Sequence, residues 1–97
     1  MIRHIVLFKY KSETPAPRRQ DFVRMLRALP RQIPGIQAAE VGEDVMHKER
    51  SFDVALIFTF GDRAALDAYT PHPAHQQVVE ESHRINERVV SVDFEVR

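Results

Sequence analysis

Cysteine is absent from this 97-residue chain, and neither sign of charge is in excess. Without cysteine the protein has no disulfide framework, no thiol nucleophile and no thiolate metal site. Fourteen lysine and arginine residues balance fourteen aspartate and glutamate residues, so no long-range field draws the whole chain to nucleic acid or to anionic lipid. We therefore expect neither nucleic acid nor a membrane as its partner.

Long hydrophobic runs are also missing. The most apolar run near the start covers residues 5–8, which is far shorter than the roughly 7–15-residue core of a signal peptide or the about 20 residues of a spanning helix. The sequence also has no glycine-rich phosphate loop, nucleophile elbow or dinucleotide fingerprint. From these observations we expect a soluble, cytoplasmic protein.

The composition fits one domain over residues 1–97, with 43% hydrophobic and 29% charged side chains. Domains usually contain roughly 100–200 residues, so a second domain has no room. A chain of this size buries somewhat more than about 60% of the surface that its unfolded form exposes, which leaves a thin core. A partner chain would add buried surface.

Four segments have the composition of β-strands. Residues 2–10 and 52–60 are rich in β-branched and aromatic side chains, which is typical of strands covered on both faces. Residues 89–96 alternate between two sets of side chains, as a strand does. Residues 36–46 have a weaker pattern, in which Gly42 indicates a bulge in an edge-like strand.

The first helical segment follows the first strand. Thr14 as N-cap and Pro15 at the first helical position predict its start. Proline at positions 30 and 34 predicts its end near Leu29, with fraying to Ile33, because proline cannot continue the hydrogen-bond ladder. Its apolar residues recur at helical spacing and arginines occupy the remaining positions, so we expect an amphipathic helix with a basic outer side.

The second helical segment precedes the last strand. A turn and N-cap at residues 61–62 predict a helix over residues 63–69. Prolines at positions 71 and 73 break it before a second run resumes to about residue 86. This run has a narrow inner stripe formed by Val78, Ser82 and Ile85.

The predicted order is β-α-β-β-α-β. This split βαβ arrangement gives a four-stranded antiparallel sheet with both helices on one face. Two of the strands are apolar on both faces, yet the helices cover only one side of the sheet. A second copy of the same sheet is the natural cover, and two sheets packed about 10 Å apart make a barrel-like homodimer.

The densest polar constellation, residues 69–75, falls where the second helix breaks. His75 titrates near neutrality and the Tyr69 hydroxyl can donate to developing negative charge, so this pair could remove a proton next to a carbonyl. His4 shares a strand face with Val6 and Phe8. If that face lines a cavity, its imidazole is a polar group among apolar neighbours.

Other interpretations of these residues stay open. His72 precedes a proline and suits the cap of the following helix, and Tyr69 could simply pack against the sheet. A zinc site at His72 and His75 is less well supported, because no third ligand has diagnostic spacing.

Three motifs resemble the stress-responsive A/B barrel domain (Dabb) family, and the resemblance spans essentially the whole chain. They are the opening residues 2–10, the bend at residues 33–36, and Tyr69 followed by the His-Pro-Ala-His run of residues 72–75. The resemblance implies an α+β, ferredoxin-like fold of βαββαβ order that forms a dimeric α/β barrel. Most members of the family have no assigned activity.

Similarity to a plant member that cyclises a linear polyketide implies roles for individual residues. It implies His75 as general base and Tyr69 as its partner or as oxyanion donor in an intramolecular aldol closure. It also implies that His4 and His72 belong to the ligand site. The protein would then be a polyketide cyclase-like lyase that requires no cofactor.

The resemblance also has implications for the residues that line the pocket and for a bound magnesium ion. Where the plant enzyme presents aromatic side chains to its ligand, this sequence has Leu26 and Val78, so we expect another substrate. Some relatives bind magnesium through main-chain carbonyls that correspond to Pro30, Ile33 and Ile36, which implies a structural Mg²⁺ here. Helix C-termini expose unpaired carbonyls, although three carbonyls without a carboxylate make a weak site.

The leading hypothesis is a homodimeric Dabb protein whose barrel holds a small, mostly apolar carbonyl-containing ligand, with lyase or cyclase chemistry at His75 and Tyr69. The alternative is a non-catalytic stress-response or assembly protein with a packed barrel interior. A third class, a heme-degrading or antibiotic monooxygenase relative, would rest on fold analogy alone. A pocket of about a few hundred Å³ at the histidines would favour ligand binding.

Overall fold

The computed structural model describes residues 1–97, and its elements follow the predicted order with the second helix in two parts. The elements are β1 (Ile2–Tyr10), α1 (Ala16–Gln32), β2 (Ile36–Glu43), β3 (Val54–Phe60), α2 (Arg63–Tyr69), α3 (Pro73–Ile85) and β4 (Asn86–Glu95). The four strands form one sheet in the order β2-β3-β1-β4, and all neighbours are antiparallel. The predicted ferredoxin-like α+β fold is therefore confirmed. None of the helices is long and apolar enough to cross a membrane.

The hydrophobic core lies between the helices and one face of the sheet. Alternate residues of β1 and β3 point into it, because side chains along a strand alternate between the two faces. On α1 the spacing of Phe22, Leu26 and Leu29 brings all three to one side, where they are completely buried. The predicted inner stripe of α3, Val78, Ser82 and Ile85, is also buried.

The opposite face of the sheet has no cover within the chain, as the two-sided apolar strands predicted. The antiparallel register places the remaining residues of β1, β3 and β4 on this face. Val92 and Phe94 are 53% and 41% exposed there. We call this surface the bare face and define it by its apolar members, which are Ile5, Leu7, Ala55, Ile57, Val90, Val92 and Phe94.

The first helix differs from its predicted limits at both ends. It begins at Ala16 after Pro15, and Thr14 does not cap it, because the Thr14 hydroxyl donates instead to the Ile85 carbonyl at 2.8 Å. At the other end α1 continues through Pro30. Pro30 removes one backbone donor and crowds the carbonyl four residues before it, but only two helical residues follow it and the Ile33 amide still donates to the Leu29 carbonyl.

The strand limits differ from prediction as well. β2 ends at Glu43 rather than at residue 46, because a carboxylate oxygen of Asp44 accepts from the His47 amide at 2.7 Å and fixes a turn. The irregularity in β2 falls between Ile36 and Ala38, so the bulge predicted at Gly42 is wrong. β3 starts two residues later and β4 three residues earlier than predicted, since pairing with β1 decides both limits.

Candidate functional site

The break between α2 and α3 brings the polar constellation against the sheet. Tyr69 is the last residue of α2, and Pro73 begins α3. Between them the His72 amide donates to the Tyr69 carbonyl at 3.1 Å, which keeps the connection tight. His72 caps α3, because its Nδ1 accepts from the Ala74 amide at 3.1 Å. Helix capping, one of the three interpretations of His72, is thus what the structure shows for this side chain.

Tyr69 stands at the centre of a cluster of rings on the helix-covered side of the sheet. It is 3% exposed, and its ring centroid lies 4.3 Å from that of His75 and 5.7 Å from that of His4. Phe58 and Phe60 of β3 complete the cluster. The structure therefore brings together the three residues His4, Tyr69 and His75 that the sequence singled out.

One ring nitrogen of His75 donates a hydrogen bond, and the other is free to act as a base. Its Nδ1 lies 2.8 Å from the Thr70 carbonyl oxygen, which only accepts hydrogen bonds, so Nδ1 carries the proton and donates. Burial lowers the pKa of His75 below its ordinary value, and the hydrogen bond to Thr70 opposes that shift in part. At neutral pH the imidazole is neutral, and its lone pair is on Nε2.

Tyr69, in contrast to His75, is a hydrogen-bond donor and not a base. Burial raises the pKa of its phenol well above the ordinary value, and the negative charge of Asp93 raises it further. The hydroxyl makes no hydrogen bond within the chain. It stays protonated near neutrality and is therefore a free donor next to a neutral base.

His4 has a partner that sequence reasoning missed. Residues His4 and Asp93 face each other in the register of β1 and β4, and His4 Nδ1 donates to a carboxylate oxygen of Asp93. In the sequence, Asp93 is one acidic residue in an alternating strand, and acidic residues there usually face solvent. Only the pairing register of β1 with β4 could have revealed it.

A groove of about 390 Å³ opens beside this cluster. Its lining includes His4 and Asp93 from the sheet and Leu66 and Thr70 from the helix side, and it does not include Tyr69 or His75. A larger cleft of about 760 Å³ lies along β2 near Arg27 and contains no histidine or tyrosine. We regard the smaller groove as the candidate site because His4 of the ring cluster lines it.

The groove is not inside the barrel that two facing sheets would form. His4, Val6 and Phe8 share the face of β1 that packs toward the helices, as expected, but the barrel interior would be lined by the bare face. The ring cluster beside the groove and the bare face are thus on opposite sides of one sheet. The predicted ligand in the shared barrel interior stays a prediction, and the histidines assigned to it lie on the other face of the sheet.

The other predicted ligand contacts lie elsewhere. Leu26 is fully buried and Val78 is 5% exposed, and both belong to the hydrophobic core. Neither lines the groove beside His4. No set of three histidine, cysteine, aspartate or glutamate side chains is arranged to hold a metal ion.

The carbonyls implied as magnesium ligands lie around the end of α1. The Pro30 carbonyl lacks its usual helical partner, because the residue four positions later is a proline without an N–H. Ile33 is the C-cap, and Ile36 is the first residue of β2. These groups are neutral oxygen donors of the kind Mg²⁺ accepts, but no carboxylate is among them. The ion stays a prediction.

The fold and the ring cluster together define a class: a ferredoxin-like α+β protein with a histidine and tyrosine site between its sheet and its broken second helix. The model of the Stress responsive A/B Barrel Domain (Dabb) matches residues 2–96. The chain belongs to this family.

Three proteins illustrate what this chain is similar to. An uncharacterized protein of Streptomyces coelicolor is 36% identical over 78 residues, 78% of this chain and 80% of its own length. A dimeric protein of unknown function from Bacteroides fragilis has the ferredoxin-like fold, with a TM-score of 0.81 at 27% identity over 98% of this chain and 95% of that one. A hydroxynitrile lyase from Passiflora edulis superimposes with a TM-score of 0.88 at 20% identity, covering 99% of this chain and 93% of the enzyme.

Proposed function

We propose that this chain binds a small, mostly apolar carbonyl compound in the groove beside His4 and carries out proton transfer of the lyase or cyclase type. His75 is the general base, and Tyr69 donates to the oxygen that carries negative charge. The observation that supports this assignment is the 4.3 Å contact between the Tyr69 and His75 rings, with Nδ1 of His75 held by Thr70. A neutral base and a protonated donor thereby meet at one place.

Two related reactions use this pair in the same way. In cyanohydrin cleavage Nε2 of His75 takes the hydroxyl proton, the carbonyl forms as the carbon–carbon bond breaks, and cyanide leaves with the electron pair and regains the proton. In an aldol closure Nε2 takes a proton next to a carbonyl, the new carbon–carbon bond forms, and the resulting alkoxide regains the proton. In both reactions negative charge builds on an oxygen that the Tyr69 hydroxyl can stabilise.

The hydroxynitrile lyase from Passiflora edulis supports the proposal at the level of the fold. Its chain superimposes closely on this one at 20% identity, so the fold is known to accommodate lyase chemistry. Fold likeness does not identify a substrate. The assignment to this chain therefore depends on His75, Tyr69 and the groove.

The test uses mandelonitrile as a cyanohydrin probe and a linear polyketone as a cyclisation probe. Benzaldehyde release and ring closure are both followed by absorbance. We expect turnover of at least one probe, with kcat reduced about 100-fold or more in His75→Ala, because general base catalysis contributes about 10²–10⁴-fold. Tyr69→Phe should also lower kcat, since the ring remains and only the donor is lost.

The matched control is His83→Ala, which removes an exposed histidine from the same helix. It should leave turnover unchanged. Full activity in His75→Ala would exclude His75 as the base. If neither probe reacts while benzaldehyde still shifts the NMR signals of His75, the ligand-binding part of the proposal stands and its catalytic part is rejected.

We also propose that the chain forms a homodimer through its bare face. This face carries seven apolar residues, and the dimeric Bacteroides fragilis protein has the same fold. Two sheets stacked in this way would remove that surface from water. Light scattering at micromolar concentration should give about twice the 11.3 kDa mass of one chain, and a single-chain mass there would contradict the proposal.

A further inference from the structure

The carboxylate of Asp93 is the one acidic group in direct contact with the ring cluster. It reaches His4 because the two residues are partners in the antiparallel register of β1 and β4. Both side chains point to the helix-covered side of the sheet. Their contact joins His4 Nδ1 to Asp93 Oδ1. Since an ionised carboxylate only accepts hydrogen bonds, this contact requires the proton of a neutral His4 to be on Nδ1.

This tautomer determines what His4 presents to the groove. The side chain of His4 is 13% exposed, and its ring is edge-on to Tyr69 at 5.7 Å and to Phe60 at 6.3 Å. With Nδ1 occupied by Asp93, the lone pair is on Nε2, which has no hydrogen-bond partner within the chain. His4 thus offers an acceptor where Tyr69 offers a donor.

The other carboxylates of the groove do not share this role. Asp67 pairs with Arg63, with Nε 3.0 Å from a carboxylate oxygen. Glu95 lies 3.2 Å from the amino terminus. Each of these acids therefore has its own cationic partner, and only Asp93 is paired with a titratable ring of the cluster.

We propose that Asp93 is the positioning residue of this site, which holds His4 in its Nδ1-protonated tautomer and so presents Nε2 as a second proton acceptor beside Tyr69. The site then has one donor, the Tyr69 hydroxyl, and two acceptors, Nε2 of His4 and of His75. Such a set matches a ligand with a hydroxyl group near its carbonyl or nitrile carbon, since the hydroxyl needs an acceptor. The ligand class rests on the proposed function, whereas the tautomer of His4 does not.

The decisive measurement is the tautomer of His4, read from long-range proton–nitrogen correlation spectra of ¹⁵N-labelled protein at a pH where the imidazoles are neutral. In the wild type we expect the Nδ1-protonated form. Asp93→Asn replaces the acceptor with an amide that can donate to Nδ1, so the population should move toward the Nε2-protonated form. Asp93→Ala, which leaves no side-chain acceptor, should move it in the same direction.

The matched control is Asp67→Asn, which neutralises another carboxylate of the same groove without touching His4. It should leave the tautomer unchanged. A wild-type His4 protonated on Nε2, or an unchanged tautomer in both Asp93 variants, would overturn the inference. Backbone amide spectra identify any variant that fails to fold, and the partly exposed position of Asp93 makes the Asn variant well suited to this comparison.

Steady-state kinetics provide a second test of the role of Asp93 if the protein converts either probe. A positioning residue should affect kcat more than KM, and we expect Asp93→Asn to lower kcat about 10-fold or more, with Asp21→Asn, a carboxylate outside the groove, near wild type. The two proposals fail separately. Absence of turnover would reject the catalytic role of His75 while the tautomer result still decides the role of Asp93.

Discussion

The two faces of the sheet differ in what the chain provides for them. The helix-covered face is closed by α1, α2 and α3 and holds both the core and the ring cluster around Tyr69. The bare face has comparable apolar character in β1 and β3 but no cover. Alternation along a strand therefore places the ring cluster and the bare face on opposite sides of the sheet, so that neighbouring residues of β1 belong to different surfaces.

Alanine substitutions at adjacent residues of β3 test most directly whether the two faces contribute differently to stability. Phe58 is fully buried on the helix-covered face, whereas Ile57 lies on the bare face. Phe58→Ala should lower the free energy of unfolding by about 3–5 kcal/mol, because it leaves a cavity in the core. Ile57→Ala should destabilise the isolated protomer much less. Urea denaturation measures both, and equal losses would show that the two faces are not energetically distinct.

A charge on the bare face should separate association from folding. Val92→Asp places a carboxylate at a position that is 53% exposed in the protomer. Each dimer would bury two such charges and lose two apolar contacts, so we expect the dissociation constant to rise about 100-fold or more. Sedimentation at several concentrations detects the change, and circular dichroism should show an unchanged fold. A dimer that persists at wild-type affinity would move the interface elsewhere.

Lowering the pH should reduce the stability of the fold only through the helix-covered face. This effect should be smaller than those of the β3 truncations and of Val92→Asp. Burial lowers the pKa of His75 below its ordinary 6.5, so between the two values the unfolded chain binds more protons than the folded one. The stability contributed by the neutral imidazole is complete above pH 6.5 and is lost as the pH falls through the lowered pKa. Thermal melts between pH 7.5 and pH 5 should show a shallower decline in His75→Gln. The same slope in both proteins would mean that other groups cause the decline.

Much of the fold could be predicted from local pattern. The apolar runs of β1 and β3 and the helical spacing of Phe22, Leu26 and Leu29 were sufficient for the element order and for a sheet with one uncovered face. The limits of α1 were not, because the energy of Pro30 depends on how close it lies to the helix end. The Thr14 hydroxyl likewise found a partner in Ile85, a contact across the fold that no local window contains.

The site was predictable only in part. Tyr69, His75 and His4 stood out by residue type and position, and the structure brings them together. Asp93 did not, since its role arises from the register that sets β4 against β1. The face on which a ligand would lie also depended on three-dimensional placement. Sequence alternation showed that two faces exist, but only the position of α2 and α3 shows which one carries the ring cluster.

Phe94 connects the two faces. It belongs to the bare face, yet it also lines the groove beside His4. A partner chain resting on this ring would alter the wall that a bound ligand touches, and a ligand would alter the surface that the partner meets. Thermodynamic reciprocity then requires the two equilibria to be coupled by the same factor. If self-association changes the affinity of the groove for its ligand, ligand binding changes the affinity of one chain for the other to the same extent.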